Sequence, residues 1–368
     1  MMLGGWLQQR LINPIAFHLS SILKQNSSAH SAFSVASVLE APRQVLIIPD
    51  DRPGGLFLGA SQFWAIRNRY PESRICLLTH ASRAYIAREL PFVDGVIVYS
   101  DFFLPFGGKL REAVKELREQ TFDIAFCFSD EASFCPAYLC YKSEARIRIG
   151  FQRQDFPFFN IRIVPHGETR YIPNRFALIL RTLGIPPVNE QASWSVSEQG
   201  ARRVQSRFLV GREADEQFVG LDISHTSGDR PSGKQFQTIS EQIVARPGVR
   251  VLVFFDFSQR KTANQIKETL GQKALLFQTN NLPKIVALMR VCTRIVTCNT
   301  DLFHLGAAMG LPITGIFDPQ DIELWAPPSR QNIDIVASQT AQNWTPQQIG
   351  EALARDLNTL PEETQPAT

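Results

Sequence analysis

The sequence predicts an α/β protein of two doubly wound halves, each a parallel β-sheet covered by helices. Three observations carry this reading. From Val45 onward, short apolar runs rich in β-branched residues alternate with longer stretches of helical spacing, the rhythm of strands buried on both faces. The rhythm breaks at Gly184-Ile-Pro-Pro-Val-Asn189 and then begins again. At 368 residues the chain exceeds one ordinary core, and two domains of about 150 residues each is the natural division.

In the first half, Val45-Leu-Ile-Ile-Pro49 reads as a buried strand and Asp50-Asp-Arg-Pro-Gly-Gly55 as a turn. Leu56 to Arg69 has helical spacing. Arg74 to Thr79 is the next strand, Ala84 to Leu90 a helix and Asp94 to Tyr99 a third strand. Leu110 to Gln120 is a helix with charged faces, and Asp123 to Phe128 a fourth strand. The second series runs strand Phe218 to Ile223, helix Phe236 to Ala245, strand Val249 to Phe255 and helix Ala263 to Leu270. Strand Ala274 to Phe277, helix Leu282 to Arg290 and strand Arg294 to Thr297 follow. A last helix is expected over Thr345 to Leu357, ahead of a polar tail. The expected organisation is an N-terminal apolar segment and linker over 1–42, one domain over 43–190, a second over 191–345, and a terminal helix and tail over 346–368.

Composition narrows the function classes. A net charge of +3, with no cluster of Lys and Arg interleaved with aromatics, argues against nucleic acid as a partner. The six cysteines sit mostly inside apolar runs and form no C-x-x-C pair, so buried reduced thiols are expected rather than a metal site. The N-terminal stretch Trp6 to Lys24 is apolar but interrupted by Arg10, Asn13, Pro14 and His18, too broken to span a bilayer. Docking on the protein is its first reading, and lying on a membrane surface the second. Gln25 to Ala41, rich in Ser and Ala, reads as a linker.

The most informative stretch is Ile295 to Pro312. An apolar strand stops at Asn299-Thr300-Asp301, residues that favour turns and helix N-caps, and a small-residue helix carrying His304 follows until Gly310. A strand, a polar turn and a helix put free backbone N–H groups and the positive end of a helix dipole at the carboxyl edge of a parallel sheet, where phosphates are held. An ordinary capped turn with His304 as a core histidine is the alternative.

The order of motifs resembles glycosyltransferase family nine, the ADP-heptose-type transferases with the two-Rossmann GT-B architecture. In the first half the resemblance rests on Ser61 to Ile75, Val93 to Tyr99, Phe122-Asp-Ile-Ala125, Arg148-Ile-Gly-Phe151 and Leu178 to Ile185. In the second, Ser232-Gly-Lys234-Gln-Phe236 is similar to the family's Lys-x-Trp segment, with Phe for Trp. Asn299-Thr300 to His304 resembles its Asp-Thr/Ser-Gly-x-x-His turn, and Ile316 to Asp321 with Trp325-Ala-Pro327 its Phe-Gly-Pro-Thr-Asp and Trp-x-Pro ending. The resemblance implies parallel sheets facing a central cleft. It also implies an inverting transfer of a heptose or similar sugar from a nucleotide diphosphate donor to a hydroxyl of lipopolysaccharide core or another bacterial glycan.

Such a transfer needs a general base for the acceptor hydroxyl and preorganised positive charge for the departing diphosphate. The expected nucleotide-sugar site is Lys234, Asn299, Thr300, Asp301, His304 and Gln259. Asp51 is the first candidate base and Asp50 the next, with Gly54 and Gly55 letting an acceptor approach the backbone. The expected partners are a nucleotide-diphosphate sugar, ADP-heptose first, and a glycan or glycolipid acceptor. No cofactor, metal or nucleic acid is called for, and the expected location is the cytoplasm, with contact at the inner face of the cell membrane. Three turns depart from the family pattern. Gly55 stands where the presumed catalytic aspartate should be, Asn299 replaces an aspartate, and Phe255-Asp-Phe-Ser-Gln-Arg260 replaces a glycine turn with an acidic ribose contact. Two readings follow: an active transferase, or a family member that binds nucleotide sugars or serves as a scaffold without chemistry. A nucleotide-sugar epimerase lacks its G-x-G-x-x-G turn and Tyr-x-x-x-Lys pair here.

Overall fold

The structure, a computed structural model, describes residues 34–100, 108–130, 133–153, 157–165, 170–186, 194, 196–210, 216–224 and 231–337. The apolar N-terminal stretch through residue 33, the helix expected over Thr345 to Leu357 and the polar tail lie outside the described residues. The chain divides into two compact units. One lies within Met1–Asp51, Gly59–Thr169 and Pro173–Glu190, the other within Arg52–Leu58, Arg170–Ile172 and Gln191–Thr368.

The first unit opens with helix α1 (Val35–Glu40), in the stretch read from sequence as a linker. Ser34 caps it, its side chain accepting the Ser37 amide, and that cap is what turns a Ser/Ala-rich segment helical. Then come β1 (Gln44–Ile48), α2 (Gly55–Arg69), β2 (Arg74–His80), α3 (Ala84–Ala87), β3 (Gly95–Tyr99) and α4 (Gly108–Glu119). β4 (Ile124–Cys127), α5 (Phe134–Lys142), β5 (Ile147–Phe151), β6 (Ile161–Ile163) and α6 (Ile172–Thr182) follow. The strands form one parallel sheet in the order β3-β2-β1-β4-β5-β6. On one face its side chains meet α4 and α5 through Leu110, Ala113, Leu117, Ala137, Leu139 and Cys140, all buried.

The second unit runs α7 (Glu198–Phe208), β7 (Gln217–Asp222), α8 (Gly233–Val244), β8 (Val249–Phe255), α9 (Arg260–Leu270), β9 (Ala274–Gln278) and α10 (Leu282–Met289). β10 (Cys292–Cys298), α11 (Asp301–Ala308), β11 (Ile313–Phe317), α12 (Pro319–Trp325) and β12 (Ile333–Ala337) complete it. Its sheet is also wholly parallel, ordered β12-β11-β10-β7-β8-β9. Read from its first strand, each sheet has the doubly wound order 3-2-1-4-5-6. The two Rossmann-like sheets are separate, as the interrupted rhythm implies.

Several elements escaped the periodicity reading for local reasons. β6 has three residues, and β12 is a half-buried edge strand. β11 carries Gly315 at its centre, which looks like a turn signal. Its true cause is crowding, since a Cβ there would stand 2.7 Å from the Phe303 ring. α7 buries only Ala201, too little for an apolar stripe to be visible.

One partly buried guanidinium organises the first unit. Arg67, in the last turn of α2, donates to the carbonyls of Phe92 (3.2 Å), Pro71 (3.0 Å) and Ser73 (2.8 Å), and it also pairs with Asp94. Asp94 in turn accepts the Ile75 amide at 2.7 Å, which ties the starts of β2 and β3 to α2. Burial pushes the Asp94 carboxyl up, yet the Ile75 amide and Arg67 together hold it below its ordinary value. Replacing Arg67 by Ala orphans three carbonyls at once and is expected to cost about 2–3 kcal/mol in urea unfolding. Arg67→Lys should recover only part of it, because an ammonium cannot span the fork.

Candidate active site

The second sheet reverses its winding between β7 and β10, and the crevice at such a switch point is where α/β folds bind ligands. One carboxylate ties the two strand ends together there. Asp222, the last residue of β7, is buried and accepts the hydroxyls of Thr300 (2.5 Å) and Thr297 (2.9 Å), and its other oxygen takes the Ser224 amide at 2.9 Å. Burial pushes the Asp222 carboxyl up, and the bonds from Ser224, Thr300 and Thr297 work against that shift. Thr300 also N-caps α11, accepting the amides of Leu302 and Phe303. Its hydroxyl is therefore fully used inside the protein, a positioning role rather than the outward donor expected from sequence.

The rest of the turn is equally committed. His304 is 2% exposed, and burial drives its pKa down to about 3, so the ring is neutral. Its Nε2 lies 2.9 Å from the Asn299 side-chain oxygen, which can only accept, so Nε2 carries the proton. Nδ1 has no partner among the described residues. The Asn299 amide nitrogen faces Asp321, in the first turn of α12, at 3.4 Å. Asparagine thus accepts from His304 while donating toward Asp321. An aspartate here could accept from His304 but could not donate to Asp321.

Gly54 belongs to the same cluster. Its amide donates to the Asp301 carboxylate at 2.7 Å, its φ is +84°, and a Cβ would stand 2.1 Å from the His304 ring. The room read from sequence as an approach path for an acceptor is filled by imidazole. Arg52 lies over the Trp325 ring at 4.6 Å, and Trp325 meets His304 edge to face. Asp301, in the first turn of α11, brings a negative charge to the positive end of that helix. The family turn has glycine in its place, a signal that the sequence reading passed over.

Lys234 stands apart from this packing. It is exposed in the first turn of α8, where Ser232 and Gln235 form a capping box. Neither its ammonium nor the amides of Gly233 and Lys234 have a partner among the described residues. Gln259 lies in a short 3-10 turn after β8 whose cap is Asp256, accepting from the Ser258 and Gln259 amides; the Gln259 side chain bonds Ser258. In the first unit, Asp50 is buried, and Asp51 accepts the Ser133 hydroxyl at 2.6 Å while its carbonyl takes Arg83. Asp51 follows β1 and Ser133 follows β4, the adjacent strands where that sheet reverses. Gly55 is the buried first residue of α2. The sequence reading missed Asp222, Asp321 and Ser133, whose partners are 78, 22 and 82 residues away. Among the described residues, no three His, Cys, Asp or Glu side chains converge to hold a metal ion.

Two outcomes follow from this geometry. Gly54→Ala meets both an unfavourable backbone angle and the His304 ring, and a loss of about 2–3 kcal/mol is expected in chemical denaturation. The His304 prediction concerns pH. The native ring titrates near 3 and an unfolded one near about 6.5, so the unfolded state binds more protons in between and stability falls as pH drops through that window. Denaturation series between neutral and acid pH should show His304→Gln removing a slope of up to about 1.4 kcal/mol per pH unit.

Comparison with known proteins agrees with this architecture. The model of glycosyltransferase family 9 (heptosyltransferase) matches residues 110–351, more than half of the chain. Lipopolysaccharide heptosyltransferase 2 of Salmonella typhimurium is 21% identical over 323 residues, covering 78% of this chain and 86% of that protein. The solved structure of Escherichia coli ADP-heptose lps heptosyltransferase II superposes with a TM-score of 0.66 at 19% identity, over 85% of this chain and 98% of the other. A family 9 glycosyltransferase from Veillonella parvula superposes at 0.69 with 17% identity, over 86% and 96%. With its two doubly wound parallel sheets in the GT-B manner, the chain belongs to glycosyltransferase family 9 and is a glycosyltransferase.

Proposed function

We propose that the protein transfers a heptose or similar sugar, with inversion, from a nucleoside diphosphate donor to a hydroxyl of lipopolysaccharide core or a related bacterial glycan. The observation that carries this reading is Lys234. A lysine at a helix N-terminus opposes the helix dipole, and an ammonium beside amides that have no partner among the described residues fits an anion such as a diphosphate. The names of the relatives, which include ADP-heptose and lipopolysaccharide, support the donor and acceptor classes. Asp301 makes the α11 end a poorer anion site, so the diphosphate is assigned to α8.

In this reading the chain supplies binding and proton transfer. Lys234 and the first amides of α8 stabilise the charge that grows on the departing diphosphate. Asp51, oriented by the Ser133 hydroxyl, removes the acceptor's proton as the oxygen attacks the anomeric carbon. A single displacement inverts that carbon. Gln259 and the Asp256 turn serve the ribose side.

Lys234→Ala should weaken nucleoside diphosphate affinity by on the order of 2 kcal/mol in calorimetry, and unchanged affinity would remove it from the site. Asp51→Asn should cut turnover by roughly two to four orders of magnitude while sparing donor binding. A full-rate variant would move the base to Asp50. The second reading, a nucleotide-sugar-binding protein without chemistry, is favoured by Gly55 at the presumed base position and by the Asp301 charge. It predicts donor binding with no transfer to any acceptor.

A further inference from the structure

In a β-α-β nucleotide unit the diphosphate sits at the N-terminus of the helix, and the nucleoside runs toward the end of the second strand. Here that unit is β7, α8 and β8, and α9 follows it. The starts of the two helices meet. A Cβ on Gly233, in the first turn of α8, would stand 3.3 Å from the Thr262 hydroxyl, in the first turn of α9. The 3-10 turn Phe257–Gln259, which joins β8 to α9, therefore lies on the Lys234 side of the second unit.

The polar side chains of this turn are bonded to one another. Asp256 Oδ1 takes the Ser258 amide at 2.8 Å, the Ser258 hydroxyl at 2.5 Å and the Gln259 amide at 3.3 Å. Gln259 Nε2 donates to the Ser258 hydroxyl at 3.3 Å. What the turn presents is a ring. Phe257 is 73% exposed, the one aromatic among the exposed large hydrophobic side chains of the described residues. It makes no ring contact among the described residues. A ring left in water adds little to folding, and its flat apolar face suits a flat partner.

We propose that Phe257 is the platform on which the donor's nucleobase stacks, and that the site accepts more than one base. The inference rests on the diphosphate lying at Lys234 and α8, as argued above. Stacking serves every base, because each has a π-face. A site that hydrogen-bonds the base edge behaves differently: the wrong base leaves its buried polar groups unpaired, and rejection reaches several orders of magnitude. The turn after β8, with its polar groups used internally and its ring outward, is of the stacking kind.

The test is calorimetric titration of the full chain with ADP, GDP, UDP and inorganic pyrophosphate. ADP and GDP should bind within about threefold of each other, and UDP, with its smaller ring, no more than about tenfold more weakly. Phe257→Ala should weaken ADP about tenfold and leave pyrophosphate affinity and the melting temperature unchanged, whereas Phe257→Tyr should bind ADP as the wild type does. ADP affinity indifferent to Phe257→Ala would overturn the platform. A preference for one base of about a hundredfold or more would overturn the tolerance, because it requires edge reading. The underlying assignment fails in a different way. If Lys234→Ala leaves ADP and pyrophosphate binding intact while Phe257→Ala still weakens ADP, the phosphates move away from α8 and the stacking role stands. A wild-type chain that binds none of the three nucleotides overturns both.

Discussion

The buried Asp222 carboxylate is the constraint on which the second unit's switch point depends. It stands at the end of β7 beside β10, the pair at which the sheet order reverses, and two threonine hydroxyls and one amide satisfy it. A buried carboxylate left without these donors would carry a large desolvation cost, so the turn after β10 has little freedom. Thr300, held by Asp222, fixes the start of α11. That start sets the direction of His304, and the His304 ring in turn decides what can stand at position 54. A chain of contacts thus runs from the end of β7 to Gly54, whose amide donates to Asp301, 247 residues away in sequence.

The alternating strands and helices were legible because both sheets are parallel and buried, and such strands are written as uninterrupted apolar runs such as Val45-Leu46-Ile47-Ile48. The turn Asn299 to His304 was legible as a strand-to-helix corner from its capping residues. What each residue does in that corner was not. Thr300 looks the same in sequence whether its hydroxyl faces a ligand or Asp222, and Asp222 reads as an ordinary strand-end acid. The missing information lies in pairings across β7 and β10 and across α11 and α12, which no local window contains. β11 was lost for a related reason, since Gly315 makes room for Phe303 rather than for a turn.

The departures from the family pattern are physically connected. Asn299 is suited to its neighbours because it can accept from His304 while donating toward Asp321. Asp301, where the family has glycine, takes the Gly54 amide and occupies the positive end of α11. These positions share one set of hydrogen bonds, from the Gly54 amide to Asp301, between His304 and Asn299, and from Asn299 to Asp321. The substitutions are therefore better understood together than as separate losses, and reverting one alone would leave its partners unsatisfied.

The fit between Gly54 and His304 bears on how this protein can be recombined with its relatives. The segment Arg52–Leu58 follows the first strand in sequence but groups with the second unit. A chimera cut between the units near residue 190 would bring a foreign loop against His304 and Asp301. A relative's loop with a side chain at position 54, or without an amide aimed at Asp301, would not seat. Halves exchanged in this lineage would have to carry residues 52–58 with the C-terminal half, making the heritable module a discontinuous one.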